Sequence, residues 1–213
     1  VTAAELAGVL GDHRIAVSPA TGRDDGSVWV LSQRPITIGR LRIVPASDEA
    51  ARDTIRLIDA PAFGTGLHPT TALCLEAIEA IVGGEPHASM LDVGTGSGVL
   101  ALAALTLGVP RATAIDIDAE ALRVASENAG LNGLSERLTL AAGGPETVTG
   151  RWPLVLANVL AAPLIEMAST LSRRVGHRGR LVLSGIPSSV EPDVHRAYRH
   201  LGMRQVEATS RAG

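Results

Sequence analysis

"LDVGTGSGVLALAAL", residues 91–105, decides the fold. A short apolar strand runs into Gly94, Gly96 and Gly98, and an apolar helix follows. Glycine adopts backbone angles that other residues avoid and lets a ligand approach the main chain. The helix start presents N–H groups that have no partner within the helix. The spacing is GxGxG, shorter than the GxGxxG of a nicotinamide-binding loop. With an acidic residue, Asp92, two positions before the first glycine, it fits the loop that holds S-adenosylmethionine, a ligand without a pyrophosphate. A glycine-rich tight turn with no ligand is the plain alternative.

Outward from this loop the pattern repeats. "RATAIDID" (111–118), "RLTLAAG" (137–143), "PLVLANVL" (153–160) and "GRLVLSGI" (179–186) read as strands. They alternate with predicted helices over 97–108, 119–133, 163–174 and 189–202, and "RQVEATSR" (204–211) reads as a last strand. Upstream, "PTTALCLEAIEAIVGG" (69–84) has helical spacing, with Pro69 suited to a first turn. Such alternation with short connections predicts one α/β domain, a doubly wound, mostly parallel sheet with helices on both faces. Residues 1–60 read as a β-rich lead-in. It holds a short helix over 2–13 and strands over 27–33, 36–45 and 53–61, the first two strands joined near Pro35. The expected division is this lead-in and a cofactor-binding domain over 61–213.

Bulk composition removes several function classes. Apolar residues make up 46% of the 213 and aromatic residues only 2%, which disfavours an aromatic stacking platform for single-stranded nucleic acid. The net charge of −3 gives no global field to hold a polyanion, so direct nucleic-acid binding is not expected. All the basic side chains besides histidine are arginine. The one cysteine, Cys74, cannot form an internal disulfide and reads as a small buried residue. No apolar run is long enough for a membrane span and no signal peptide is visible, so the expectation is a soluble cytoplasmic monomer.

Two further positions point to the same rim of the sheet. Asp116 ends its strand about 20 residues beyond the glycine loop, where a carboxylate can accept hydrogen bonds from both ribose hydroxyls. Asp118 points to the other face and suits a helix cap. Asn158 ends the fourth core strand after four apolar residues. In amine methyltransferases an Asn or Asp there accepts a hydrogen bond from the amine about to be methylated; a turn-forming Asn is the alternative.

"FGTGLHPTT" (63–71) lies just before the helix at 69–84. His68 lacks partners at metal-ligand spacing, and no metal is expected. It reads as a residue that shapes the loop, with general base as a weaker role. Phe63, the only phenylalanine, either covers the cofactor or the methyl-transfer channel or simply packs. Thr70 and Thr71 are candidate helix caps. The arginines at 173, 174, 178 and 180 read as a solvated face near a helix end.

In this order and spacing, "FGTGLHPTT", "DVGTGSGVLALAAL", "AIDID", "ENAGLNG" and "LANVLAAP" resemble the ribosomal protein L-eleven methyltransferase family of the PrmA type, over roughly residues 27–211. The resemblance implies a Rossmann-like class I methyltransferase fold and S-adenosylmethionine as cofactor. It implies transfer of methyl groups to lysine side-chain and N-terminal amines of a ribosomal protein. It places cofactor contacts at Thr71, Gly94, Asp116 and Asn158. With the direct reading, the expected cofactor-binding set is Phe63, Thr71, Asp92, Gly94, Gly96, Asp116 and Asn158, with Asn158 also catalytic. That family carries a separate N-terminal recognition domain, and residues 1–26 are too few for it. The strand that follows "RQVEATSR" in the family is also expected to be missing. The chain is then either trimmed or a short relative that methylates another protein's lysine or a small-molecule amine. A nicotinamide dehydrogenase and a non-catalytic binding module are the readings from other classes. The glycine spacing disfavours the first and the full set of rim residues the second.

Overall fold

The computed structural model describes residues 15–19, 27–31, 35–59 and 68–210. The chain divides into two compact units, Val1–Pro35 and Ile36–Gly213. In the first, strands β1 (Ile15–Pro19) and β2 (Ser27–Leu31) pair antiparallel. β1 is an addition to the sequence expectation, and the helix expected over 2–13 lies outside the described residues.

The second unit begins with a three-stranded sheet. β3 (Ile36–Ile38) and β4 (Leu41–Pro45) form an antiparallel hairpin, and β4 pairs parallel with β5 (Thr54–Leu57). The single strand expected over 36–45 is therefore two. Gly39 takes φ +55° at the turn, and a side chain there would collide with Glu79. The Glu79 carboxylate accepts from the Arg40 N–H at 2.9 Å, which fixes the turn against the first helix.

That helix is α1 (Pro69–Gly84). After it come β6 (Ser89–Val93), α2 (Val99–Thr106), β7 (Arg111–Asp116), α3 (Ala119–Leu131), β8 (Leu138–Ala142) and β9 (Trp152–Asn158). The chain then forms α4 (Ala161–Glu166), α5 (Ala168–Arg174), β10 (Val175–Ser184) and α6 (Glu191–Arg199). Strands β6 to β10 form a parallel sheet in the order β10-β9-β6-β7-β8.

The expected doubly wound α/β architecture is present, and side-chain alternation explains it. Met90, Ala112, Ala114, Leu154 and Leu156 face one core, shared with α1, α2 and the small sheet. Leu91, Val93, Ile115, Val155 and Ala157 face a second core, closed by Leu164, Leu171, Val194 and Tyr198 of α4–α6. Successive residues of a strand point to opposite faces, so a strand apolar at every position needs cover on both. Residues 99–105 of α2 are all buried, as a helix apolar all round must be.

Two other expectations need correction. The helix expected over 163–174 breaks at Met167 (φ −89°, ψ 4°), which ends α4 and starts α5. Residues 204–210 form no strand: they are exposed, Val206 by 74%, and pair with no strand among the described residues. Their alternating face carries only Val206 and Ala208 as apolar residues, little to bury.

The far end of the molecule is tied by Arg137. Its guanidinium donates to the carbonyls of Leu105 (2.8 Å), Val109 (2.5 Å) and Pro110 (3.0 Å), satisfying the C-terminal end of α2. Arg137→Ala is expected to lower unfolding free energy by about 1–2 kcal/mol, read as a lower urea midpoint. An unchanged midpoint would show these bonds to be energetically idle.

Candidate functional site

Strand order reverses beside β6: the chain continues to β7 on one side and reaches β9 on the other. Open α/β sheets bind ligands at such a point, outside the carboxyl ends of the strands. The glycine turn follows β6 there and Asn158 closes β9, so the topology brings the two together.

Gly94 (φ 72°), Gly96 (φ 54°) and Gly98 (φ 82°) all occupy the left-handed region. The N–H groups of Gly94 and Thr95 both donate to the Ile115 carbonyl, at 2.9 and 3.1 Å, curling the turn over the end of β7. A side chain on Gly94 would lie 2.4 Å from Val159 Cγ1, and one on Gly98 3.0 Å from Ala125 Cβ. The turn is thus pressed against the β9 loop on one side and α3 on the other.

Asp116 stands half-buried at the tip of β7. Its Oδ2 accepts from the Gly96 N–H at 2.9 Å and its Oδ1 from the Asp118 N–H at 3.0 Å. Each oxygen keeps lone-pair capacity toward the crevice. Asp118 caps α3 through the Glu120 N–H at 2.9 Å, the role its alternation suggested.

Asp92 is fully buried beneath the turn. Its Oδ2 accepts from the Thr95 hydroxyl at 2.6 Å, while Oδ1 has no partner in hydrogen-bonding geometry. Burial pushes its carboxyl up to about 6; the Thr95 hydroxyl and the Ala101 N–H pull the other way, and the charge of Asp116 adds to the rise.

Asn158 is buried, and its Nδ2 donates to the Thr71 hydroxyl at 3.4 Å, a long contact across 87 residues of sequence. Its Oδ1 is buried without a partner. Thr71, also fully buried, sits in the first turn of α1. Neither Thr70 nor Thr71 is the cap there: His68 is, its Nδ1 accepting from the Thr70 N–H at 3.3 Å and meeting the Thr70 hydroxyl at 2.7 Å. The same turn is held to β10 by the Ser184 hydroxyl, which donates to the Thr70 carbonyl at 3.2 Å. Cys74, one turn on, is 1% exposed, and burial pushes its thiol up to about 12. It is packing material, as expected.

The structure therefore gathers Gly94, Gly96, Asp116 and Asn158 at one rim, with Thr71 buried against Asn158 and Asp92 buried beneath the turn. Phe63 lies outside the described residues. The arginine cluster points to other work: Arg173 donates to the Ser169 and Thr170 hydroxyls, Arg174 to the Pro145 carbonyl, and Arg180 to Glu85. Among the described residues no group of three or more His, Cys, Asp or Glu could hold a metal, and no helix is long and apolar enough to cross a membrane.

Several rim residues escaped the sequence reading. Ile117 is 86% exposed beside Asp116 and Leu160 is 74% exposed beyond Asn158. Apolar side chains left open on both sides of a polar crevice were findable as strand-end residues with no core to join. Asn128 and Asn132 of "ENAGLNG" were findable too, because asparagine is a poor helix former and two of them one turn apart need a reason.

Residues 5–213 match the family described as Ribosomal protein L11 methyltransferase (PrmA). A relative of that name from Geobacter sp. (strain M21) is 41% identical over 194 residues, 87% of this chain and 63% of the relative. Another, from Myxococcus xanthus (strain DK1622), is 39% identical over 205 residues, 93% of this chain and 69% of the relative. The chain thus spans about two thirds of the length of these curated relatives. A solved ribosomal protein L11 methylase from Lactobacillus delbrueckii subsp. bulgaricus superposes with a TM-score of 0.75 at 34% identity, covering 84% of this chain and 93% of that one. On these matches the chain belongs to the ribosomal protein L11 methyltransferase (PrmA) family.

Proposed function

We propose that this chain carries the methyl-transfer activity of an S-adenosylmethionine-dependent protein N-methyltransferase. Its substrates are lysine side-chain or N-terminal amines of a large-subunit ribosomal protein, and it works in the cytoplasm. The observation that carries the reading is the buried, unpartnered Oδ1 of Asn158 at the rim beside the glycine turn. A buried acceptor left without a donor costs stability unless a ligand supplies one. Family membership supports the methyl donor, and the rim chemistry suits it. The turn brings main chain to the surface at Gly94 and Gly96, and Asp116 keeps acceptor capacity for a ribose.

When bound, the cofactor supplies a methyl group on a sulfonium, ready for in-line displacement. The protein's share is orientation and electrostatics. Asp116 and the turn would hold the nucleoside and amino-acid ends, and Thr71 fixes the Asn158 amide by accepting from its Nδ2. Asn158 Oδ1 then accepts from the substrate amine, aiming its lone pair at the crevice. A free lysine amine, with a reference pKa of about 10.4, arrives mostly protonated at neutral pH. Desolvation at the rim favours the uncharged form, and a neutral carbonyl orients the amine without adding a negative charge that would hold the proton on. The proton leaves to water, so no strong general base is required of His68, which is occupied as a cap.

Asn158→Ala is expected to lower kcat about 100-fold, on the scale of a misplaced reacting group, with cofactor affinity changed far less. Full turnover in the variant would remove Asn158 from the mechanism. The substrate is tested by incubating the protein with labelled cofactor and ribosomal subunits, then with small-molecule amines. Label in one ribosomal protein supports the proposal, and label only in small molecules overturns it.

Asp92 adds a pH signature. Burial raises its folded pKa to about 6, above the 3.8 of an ordinary aspartate, so between these values the folded state holds the proton that the unfolded state has released. Stability contributed by the protonated carboxyl is full below about 4 and is lost as pH rises through about 6. The loss is of order 3 kcal/mol at about 1.4 kcal/mol per unit. Asp92→Asn is expected to flatten this part of the stability–pH curve and to raise the melting temperature of the free protein at pH 7. An unchanged curve between pH 4 and 7 would mean that Asp92 is ionised without penalty.

A further inference from the structure

Asn128 is completely buried on α3, and Asn132 follows one turn later as the C-cap of that helix. Their amides form a ladder along the free edge of β5. Asn132 Oδ1 accepts from the Arg56 N–H at 2.9 Å and its Nδ2 donates back to the Arg56 carbonyl at 2.7 Å, as a neighbouring strand would. Asn132 Nδ2 also donates to the Asn128 carbonyl at 2.7 Å. Asn128 Oδ1 accepts from the Ile58 N–H at 2.8 Å. Its other end breaks the pattern: Nδ2 leaves β5 and donates to the carbonyl of Ser97, inside the glycine turn, at 2.9 Å.

That last bond falls between two glycines of the turn. Gly96 and Gly98 flank Ser97, both at positive φ, and glycine exchanges such conformations for others at little cost. Holding the Ser97 carbonyl toward α3 fixes the plane of the 97–98 peptide, whose Gly98 N–H donates to the Thr95 carbonyl at 2.9 Å. The contact of Gly98 with Ala125, one turn before Asn128, presses the same segment onto the same helix.

We propose that Asn128 is a positioning residue for the methyl donor: through Ser97 it selects the one conformation of the glycine turn that receives the cofactor. Asn132 holds β5 in the same network and plays no such part. The inference rests on the cofactor reading above. A turn already in its binding conformation spends less of the interaction energy on ordering, so losing the tie weakens binding more than chemistry.

The test measures binding of S-adenosylhomocysteine by calorimetry, thermal stability, and kcat at saturating S-adenosylmethionine. It uses the native chain and the Asn128→Ala, Asn128→Asp and Asn132→Ala variants. Asn128→Asp keeps the acceptor for Ile58 and, once ionised, has no donor for Ser97, so its binding is measured from about pH 6 to 9 to include the carboxylate form. Both Asn128 variants are expected to bind about tenfold more weakly with kcat within about threefold of native. Asn132→Ala is expected to lose stability while binding within about twofold. Native-like binding by Asn128→Asp, or affinity losses that track stability equally in the Asn128 and Asn132 variants, would overturn the positioning role alone. A native chain that fails to bind S-adenosylhomocysteine would overturn the cofactor reading and this inference with it.

Discussion

Val159 fills the space in which Gly94 would carry a side chain, and the candidate site depends on that approach. A Cβ on Gly94 would lie 2.4 Å from Val159 Cγ1, well inside any tolerable contact. The turn after β6 and the loop after β9 touch because one of them has no side chain. The contact also orients the β9 loop. With Val159 directed at the glycine turn, Asn158 is left to face Thr71, its carbonyl oxygen free. Any other residue at 94 would push the two loops apart and would be strained at φ 72° besides.

The rest of the architecture supports this junction from both faces. β6 lies in the middle of the sheet between β7 and β9, so its end is fixed by strands on both sides. α3 leans on the turn at Gly98 and bonds it at Ser97. α1 enters over the other side, capped by His68, tied to β10 at Ser184, and carrying Thr71 to Asn158. The polar groups at the centre, Asp92 and Asn158, each keep one buried oxygen that receives no donor. Such shortfalls inside a well-packed fold are costs that a bound ligand can offset.

Much of this was legible before any coordinates. The glycine spacing, the acidic residue two positions ahead of it, and Asp116 at a strand end all follow from local pattern; the glycines and Asp116 lie at the rim and Asp92 is buried beneath them. Asn158 was visible as a polar residue after an apolar strand. Its partner was not, because Thr71 is 87 residues away and no local rule connects them. The misreadings have physical causes. The hairpin at Gly39 reads as one strand in the sequence because apolar alternation runs straight through its turn. The break at Met167 leaves no mark, since the residues around it suit a helix well enough. Residues 204–210 alternate like a strand but find no neighbour among the described residues. His68 attracted attention as a chemical group and serves instead as a helix cap.

The most direct test is a crystal structure of this chain grown with S-adenosylhomocysteine. The account predicts the nucleoside across the glycine turn, its ribose hydroxyls within hydrogen-bonding distance of Asp116. It predicts the sulfur on the side of the unpartnered Oδ1 of Asn158. Ligand density elsewhere on the molecule, or a ribose turned away from Asp116, would contradict it.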